Sequence, residues 1–103
     1  MAKMDFEQSY EITGEVILWN FEKGSWHFFV IPREIADEIK FFNASKLRGF
    51  RSLKVKATIG KTRFATSIFP DSKSGGYFLP LKASVRKDEN ISAGDVVTVQ
   101  LSL

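Results

Sequence analysis

Apolar and polar residues alternate along most of this chain, with the period of two that is typical of β-strands. Short clusters of glycine, serine and aspartate separate the alternating segments at the spacing of turns. Gly14 lies inside the first segment and predicts a bulge or a bend there. The pattern predicts six strands, at residues 9–20, 26–31, 52–59, 62–69, 77–81 and 96–103.

The hairpin at residues 51–69 is the best defined of the predicted elements. Gly60 and Lys61 form its two-residue turn, with glycine first, as a type II′ turn requires. Counting back from the turn fixes which residues of the two strands lie opposite each other. On the outer face this register pairs Thr58 with Arg63, Lys56 with Ala65 and Lys54 with Ser67, and on the inner face Val55 with Thr66 and Ala57 with Phe64.

One helix is predicted directly after Pro32, because the first turn of a helix does not need the N–H that proline lacks. Ile35, Ile39 and Phe42 form its apolar stripe at i, i+4 and i+7. A short turn or one-turn helix is predicted within residues 82–94. Six strands with one short helix after strand 2 predict a mainly β fold, a small closed or nearly closed barrel, since closure removes exposed strand edges.

The sequence also contains an internal repeat of low identity. Residues 13–32 and 59–80 each hold a strand, a glycine-containing loop, an aromatic-rich strand and a proline, and each is followed by a helical or turn segment and a Val-rich strand. The repeat predicts two half-units related by a pseudo-twofold axis. We expect a single domain over residues 1–103, with residues 1–6 as a flexible N-terminus.

Four short motifs carry a resemblance to a known family. They are Trp26-x-Phe28-x-Val30-x-Pro32, Gly60-x-x-x-Phe64-x-x-Ser67-x-Phe69-Pro70, Gly76-Tyr77-x-Leu79-Pro80-Leu81-Lys82-x-x-Val85-Arg86-Lys87 and Ile91-x-x-Gly94-Asp95-x-Val97-x-Val99-x-Leu101. On these motifs the chain, over roughly residues 7–102, resembles the small bacterial and archaeal barrel family known as domain of unknown function 1905. The resemblance implies a double-split β-barrel and no established biochemical activity.

The second half of the chain also resembles, more weakly, the swapped-hairpin barrels of bacterial transition-state regulators and antitoxins, which bind DNA. The shared positions are Leu79-Pro80, Arg86, Gly94-Asp95 and Val97-x-Val99. In that family two short chains make one barrel, whereas here both halves would lie in one chain. The spacing from Pro80 to Arg86 is longer than in that family, and Glu34-Ile35 stands where a second arginine is expected. The symmetric reading of two DNA half-sites would therefore be lost.

Composition narrows the chemistry that the chain can perform. The 103 residues are 44% apolar and include ten phenylalanines, which favours a folded domain over disorder. The sequence holds one histidine and no cysteine, which excludes disulfides, thiolate catalysis and cysteine zinc sites. We therefore expect no metal and no cofactor. We also expect a cytoplasmic protein without membrane contact, since no apolar run has the length of a membrane span and no signal peptide is visible.

Positive charge is concentrated in the second half of the chain. Eleven of the fifteen lysines and arginines lie within residues 46–87, together with a single acid, Asp71. This asymmetry is typical of an anion-binding face, but outward lysines also keep a strand soluble and prevent edge pairing. Both interpretations stay open, and no stacking aromatic is expected on that face. The candidate anion-binding residues are Lys54, Lys56, Lys61, Arg63, Lys82, Arg86 and Lys87.

Trp26 and His27 are candidates for the lining of a ligand cavity inside the barrel. Small barrels are usually filled by their own side chains, so the core is the favoured place for Trp19, Trp26, Phe28 and Phe29. As a general base, His27 lacks a neighbouring nucleophile and an obvious carboxylate to orient it. The histidine is therefore expected to be neutral and partly buried.

Two further features also have alternative interpretations. Arg86 can bind an anion, but we favour an ion pair with Asp95 or Glu15 that braces the barrel corner. The segment 72–76, Ser-Lys-Ser-Gly-Gly, has the composition of a phosphate-binding nest. Because it lacks the spacing of a P-loop and no helix follows it, a plain hairpin loop is favoured.

The favoured functional prediction is a non-catalytic small β-barrel module that binds a partner through a groove or a face. The alternative is a module that binds nucleic acid or another polyanion through residues 46–87. An enzyme or small-ligand site around Trp26, His27 and Arg86 is the least favoured. The expected partners are nucleic acid or an acidic protein surface, and the expected assembly is a monomer or a weak homodimer.

Overall fold

The computed structural model describes residues 9–22, 24–43 and 52–103, and within them the chain forms six strands and two helices. Their bounds are β1 (Ser9–Phe21), β2 (Gly24–Ile31), α1 (Arg33–Phe42), β3 (Leu53–Ile59), β4 (Thr62–Pro70), β5 (Tyr77–Pro80), α2 (Ala83–Asp88) and β6 (Val96–Ser102). The six predicted strands are confirmed, and α2 is the short helix expected within residues 82–94. The flexible N-terminus predicted at residues 1–6 lies outside the described residues.

The six strands form a closed antiparallel barrel in the order β1-β2-β5-β4-β3-β6. β1 pairs with two neighbours, because residues 9–15 pair with β6 and residues 16–21 with β2. Of the bulge or bend predicted at Gly14, the bulge is wrong, since Gly14 lies opposite Val97 in an uninterrupted register. The ring of Phe29 explains the glycine, because a Cβ at this position would lie 3.3 Å from that ring.

The strand order is unchanged when β1, β2 and β3 exchange places with β4, β5 and β6. The chain therefore consists of two units, β1–β2–α1–β3 and β4–β5–α2–β6, that interlock in one barrel. This is the pseudo-twofold arrangement that the internal repeat predicts. The register predicted for the β3–β4 hairpin is confirmed at every pair. Gly60 has a φ of 58° while Lys61 has no positive φ, as the predicted type II′ turn requires.

Inward side chains from all six strands and from both helices form one hydrophobic core. The largest fully buried side chains are Tyr77, Phe29, Ile31, Ile39, Ile68, Leu79, Leu101, Val16, Val85 and Val99. The predicted stripe of α1 is wrong at Phe42, which is 62% exposed. Ala36 and Ile39, spaced i and i+3, face the barrel instead, and the buried Asn43 extends this side of the helix.

The short β5 leaves a split in the wall of the barrel. It pairs with residues 28–31 of β2 and with residues 69–70 of β4, so it bridges these strands over only part of their length. After Pro80 the chain adds one more hydrogen bond to β2, from Leu81 N to His27 O at 2.9 Å, and then enters α2. The split thus lies beside the segment that leads into α2.

Candidate functional site

The outward side chains of β3 and β4 form a surface that we call the hairpin face. It carries Lys54, Lys56 and Arg63 together with Ala65 and Ser67, and the three basic side chains are exposed. Two shallow grooves of about 570 Å³ each cross this face. The hairpin register brings the three bases together, because it aligns the outward positions of the two strands.

None of the three bases of the hairpin face forms an ion pair with a described residue; the ion pair in the described part of the chain joins Arg33 to Asp37 on α1, at 3.8 Å. Lys61 also forms no ion pair with a described residue, but it lies in the hairpin turn, where its backbone N–H contacts a carboxylate. Glu89 accepts hydrogen bonds from Lys61 N at 3.2 Å and from Thr62 Oγ1 at 2.6 Å. The carboxylate of Glu89 therefore adds a negative charge beside the turn, at one end of the face.

Neutral side chains separate the hairpin face from the acidic residues of β1. On β6, Gln100 lies opposite Thr58 and Ser102 lies opposite Lys56. The next strand is β1, where Glu11 lies opposite Gln100. Two strand spacings place Glu11 about 10 Å from β3. The acids that the structure describes on β1, Glu11 and Glu15, are thus not interleaved with the bases on β3.

The structure places the two predicted cavity residues, Trp26 and His27, in a cleft of about 260 Å³ at the split between β2 and β4. Lys82 and Arg86 line the same cleft, so two of the predicted anion-binding residues lie beside the predicted cavity residues. The other residues that line it are Ser25, Phe64, Thr66, Pro80 and Leu81. Lys87 lines neither this cleft nor the two grooves of the hairpin face.

The side chain of Arg86 contacts the backbone of the segment that leads into α2. Its Nε donates to the carbonyl oxygen of Leu81 at 3.0 Å. The predicted ion pair with Asp95 or Glu15 is wrong. Asp95 instead accepts a hydrogen bond from Ser92 N at 2.8 Å, because a partner three residues away is reached with little loss of chain entropy.

His27 lies inside this cleft. Its Nδ1 is buried and has no hydrogen-bond partner among the described residues. Burial, and after it the positive charge of Arg86, lower the pKa of His27. Among the described residues no carboxylate lines the cleft and no group of three histidine or acidic side chains could hold a metal ion. The cleft is suited to a small anion beside Lys82 and Arg86, and no described carboxylate lies there to orient a general base.

The polar groups of the loop between β4 and β5 form hydrogen bonds with one another. The carboxylate of Asp71 accepts hydrogen bonds from Lys73 N at 3.1 Å and from Ser74 Oγ at 2.7 Å. Gly76 N donates to Ser74 Oγ at 3.1 Å. These contacts support the hairpin-loop interpretation over a phosphate nest, because a carboxylate already occupies the position that an anion would take.

Four aromatic rings on the outer face of β1, β2 and β5 form an exposed group that the sequence prediction missed. We call Trp19, Trp26, Phe28 and Phe78 the aromatic cluster. Trp19 is 50% exposed and Trp26 is 52% exposed, so the prediction that they lie in the core is wrong. Of the expected core aromatics, Phe29 is fully buried because it points to the other face of β2. The only sequence signal was that β2 is apolar on both faces.

Residues 13–101 match the family described as Domain of unknown function (DUF1905). No curated protein matches the chain. The longer of the two described helices, α1, has ten residues, and neither is long and apolar enough to cross a membrane.

Proposed function

This chain belongs to the DUF1905 family, and from that premise we propose that it is a non-catalytic binding module whose partner is nucleic acid, held through the hairpin face. One observation carries the proposal: Lys54, Lys56 and Arg63 are exposed on two adjacent strands, and no described carboxylate pairs with them. Three such bases attract the phosphates of a nucleic acid and release its counterions.

The spacing of the bases supports a strand of phosphates rather than a single anion. Lys54 and Lys56 are two residues apart on β3, about 6.6 Å along the strand. Arg63 lies on β4 opposite Thr58, one step further along the same face. A row of positive side chains at this spacing is longer than one phosphate group. It therefore matches an extended polyanion better than a single anion.

The uncharged side chains beside the hairpin face favour nucleic acid over a partner that is bound by charge alone. Ser67, Ser102 and Gln100 border the grooves that also hold Lys56 and Arg63. Hydroxyl and amide side chains of this kind bind phosphate oxygens and sugars in protein–nucleic acid interfaces. A nucleic-acid partner also fits the cytoplasmic location expected from the sequence.

The test is a fluorescence-anisotropy titration of labelled random DNA and RNA at low and at physiological salt. Lys56→Glu should weaken binding about tenfold, since it removes one phosphate contact and adds a repulsion. Lys73→Glu is the matched control, because Lys73 is also exposed and makes the same charge change in the β4–β5 loop. No binding at low salt, or equal losses in the two variants, would refute the proposal.

A further inference from the structure

We propose that the nucleic acid bound by this module is single-stranded and that its bases stack on the aromatic cluster. The inference rests on the proposed function, in which the hairpin face holds the phosphates. It adds a second contact, made by a different part of the barrel wall, that recognises unpaired bases.

The aromatic cluster has the geometry of a stacking surface. The ring of Phe28 lies at its centre, with ring centroids 5.0 Å from Phe78 and 5.9 Å from Trp26. The rings of Trp26 and Phe28 are nearly parallel, at 17°. Both tryptophans of the chain belong to the cluster, and each exposes about half of its surface. Contiguous exposed aromatic area of this kind marks an interaction site on a small protein.

The aromatic cluster is continuous with the hairpin face through β4. Phe78 on β5 lies opposite Phe69 on β4. Phe69 shares the outward side of β4 with Ser67, and Ser67 lies opposite Lys54. The expectation that no aromatic side chain lies on the basic face is therefore wrong. Phe69 is therefore a diagonal neighbour of Lys54, a separation of about 7–8 Å. A nucleic-acid strand that lies along the basic side chains of the hairpin face therefore reaches the rings of the aromatic cluster.

This arrangement distinguishes single strands from duplexes. In a duplex the base faces are already stacked within the helix, so only phosphates, sugars and base edges reach a protein surface. Unpaired bases can stack on exposed rings whatever their sequence, and each stacked base strengthens binding between about 5-fold and 150-fold. A basic row beside exposed aromatic rings is the combination that single-strand binding proteins use.

The two tryptophans make the test direct, because both lie in the aromatic cluster and so report stacking through their intrinsic fluorescence. The protein is titrated with oligothymidylate of about twelve nucleotides, within the site sizes of small barrels. The comparison ligands are an abasic deoxyribose-phosphate oligomer of equal length and charge, and a duplex. Oligothymidylate should quench the fluorescence and bind at least about tenfold more tightly than the abasic oligomer.

A pair of variants separates stacking from charge. Trp26→Leu keeps an apolar side chain and should weaken oligothymidylate binding about fivefold or more, while binding of the abasic oligomer stays unchanged. Phe41→Leu is the control, because Phe41 is 76% exposed at the end of α1 and lies outside the aromatic cluster. Circular dichroism checks that both variants remain folded.

The possible outcomes are distinct. Equal affinity for oligothymidylate, the abasic oligomer and the duplex would overturn the single-strand inference and leave the proposed function intact. No binding of any of the three at low salt would refute the proposed function itself. A tryptophan signal that depends only on protein concentration, with dimers in sedimentation velocity, would overturn the inference by showing that a second copy covers the aromatic cluster.

Discussion

Glu89 joins the end of α2 to the turn of the β3–β4 hairpin, and its removal tests how the hairpin face is held in place. Its carboxylate accepts a partly buried hydrogen bond from Thr62 Oγ1 at 2.6 Å and an exposed one from Lys61 N at 3.2 Å. A hydrogen bond to a charged group contributes about 1.5–3 kcal/mol, and exposure reduces the second bond below that range. We therefore expect Glu89→Ala to lower the free energy of unfolding by about 2 kcal/mol.

Thermal and urea unfolding, followed by circular dichroism, measure this change. A loss of about 2 kcal/mol lowers the Tm of a domain of this size by roughly 10 °C. Asp88→Ala is the matched control, since Asp88 is an exposed carboxylate one residue earlier, and removing a negative charge from a helix C-terminus is neutral or slightly stabilising. If Glu89→Ala lies within about 0.5 kcal/mol of Asp88→Ala, the reasoning is wrong.

Three further predictions concern His27, the two tyrosines and Gly76. Because burial lowers the pKa of His27, stability should rise with pH up to about 6.5, the ordinary value, and His27→Gln should lose that rise in urea unfolding. Burial raises the pKa of Tyr10 to about 12 and also raises that of Tyr77, so tyrosinate absorbance should stay low at pH 10 and stability should fall above it. In Gly76→Ala a Cβ would overlap the carbonyl oxygen of Ile31, which should lower the unfolding free energy by about 1–3 kcal/mol.

Local patterns were sufficient to predict the β3–β4 hairpin. The glycine at position 60 fixes the turn, and strict alternation on both sides then fixes the register. The outward positions of Lys54, Lys56 and Arg63 follow from that register. This part of the candidate site was therefore predictable, because it depends on residues close together in sequence.

The aromatic cluster was not predictable, because it depends on what packs outside a strand. β2 is apolar on both faces, and the sequence alone favoured cover on both. In the structure one face fills the barrel and the other keeps Trp26 half exposed beside Trp19. Which face of a two-sided apolar strand stays open is decided by distant elements, and periodicity within the strand does not reveal it.

Two other features also depend on distant parts of the chain: which side of α1 faces the barrel, and which group Arg86 contacts. A shift of one residue in the helix stripe places Ala36, and not Phe42, against the barrel. For Arg86, a nearby carbonyl at Leu81 competes with every distant carboxylate. Local hydrogen bonds win such competitions because they order little additional chain, and sequence spacing does not show which acids the fold brings near.

The most direct test of the central claim is the salt dependence of nucleic-acid binding. Association constants for oligothymidylate are measured by anisotropy over a range of salt concentrations, for the wild-type chain and for Lys54→Gln combined with Lys56→Gln and Arg63→Gln. Each phosphate contact on a single strand contributes about 0.7 to the slope of log K against log salt, so the triple variant should lose about 2 from that slope. An unchanged slope, or a wild-type protein that does not bind at low salt, would contradict binding through the hairpin face.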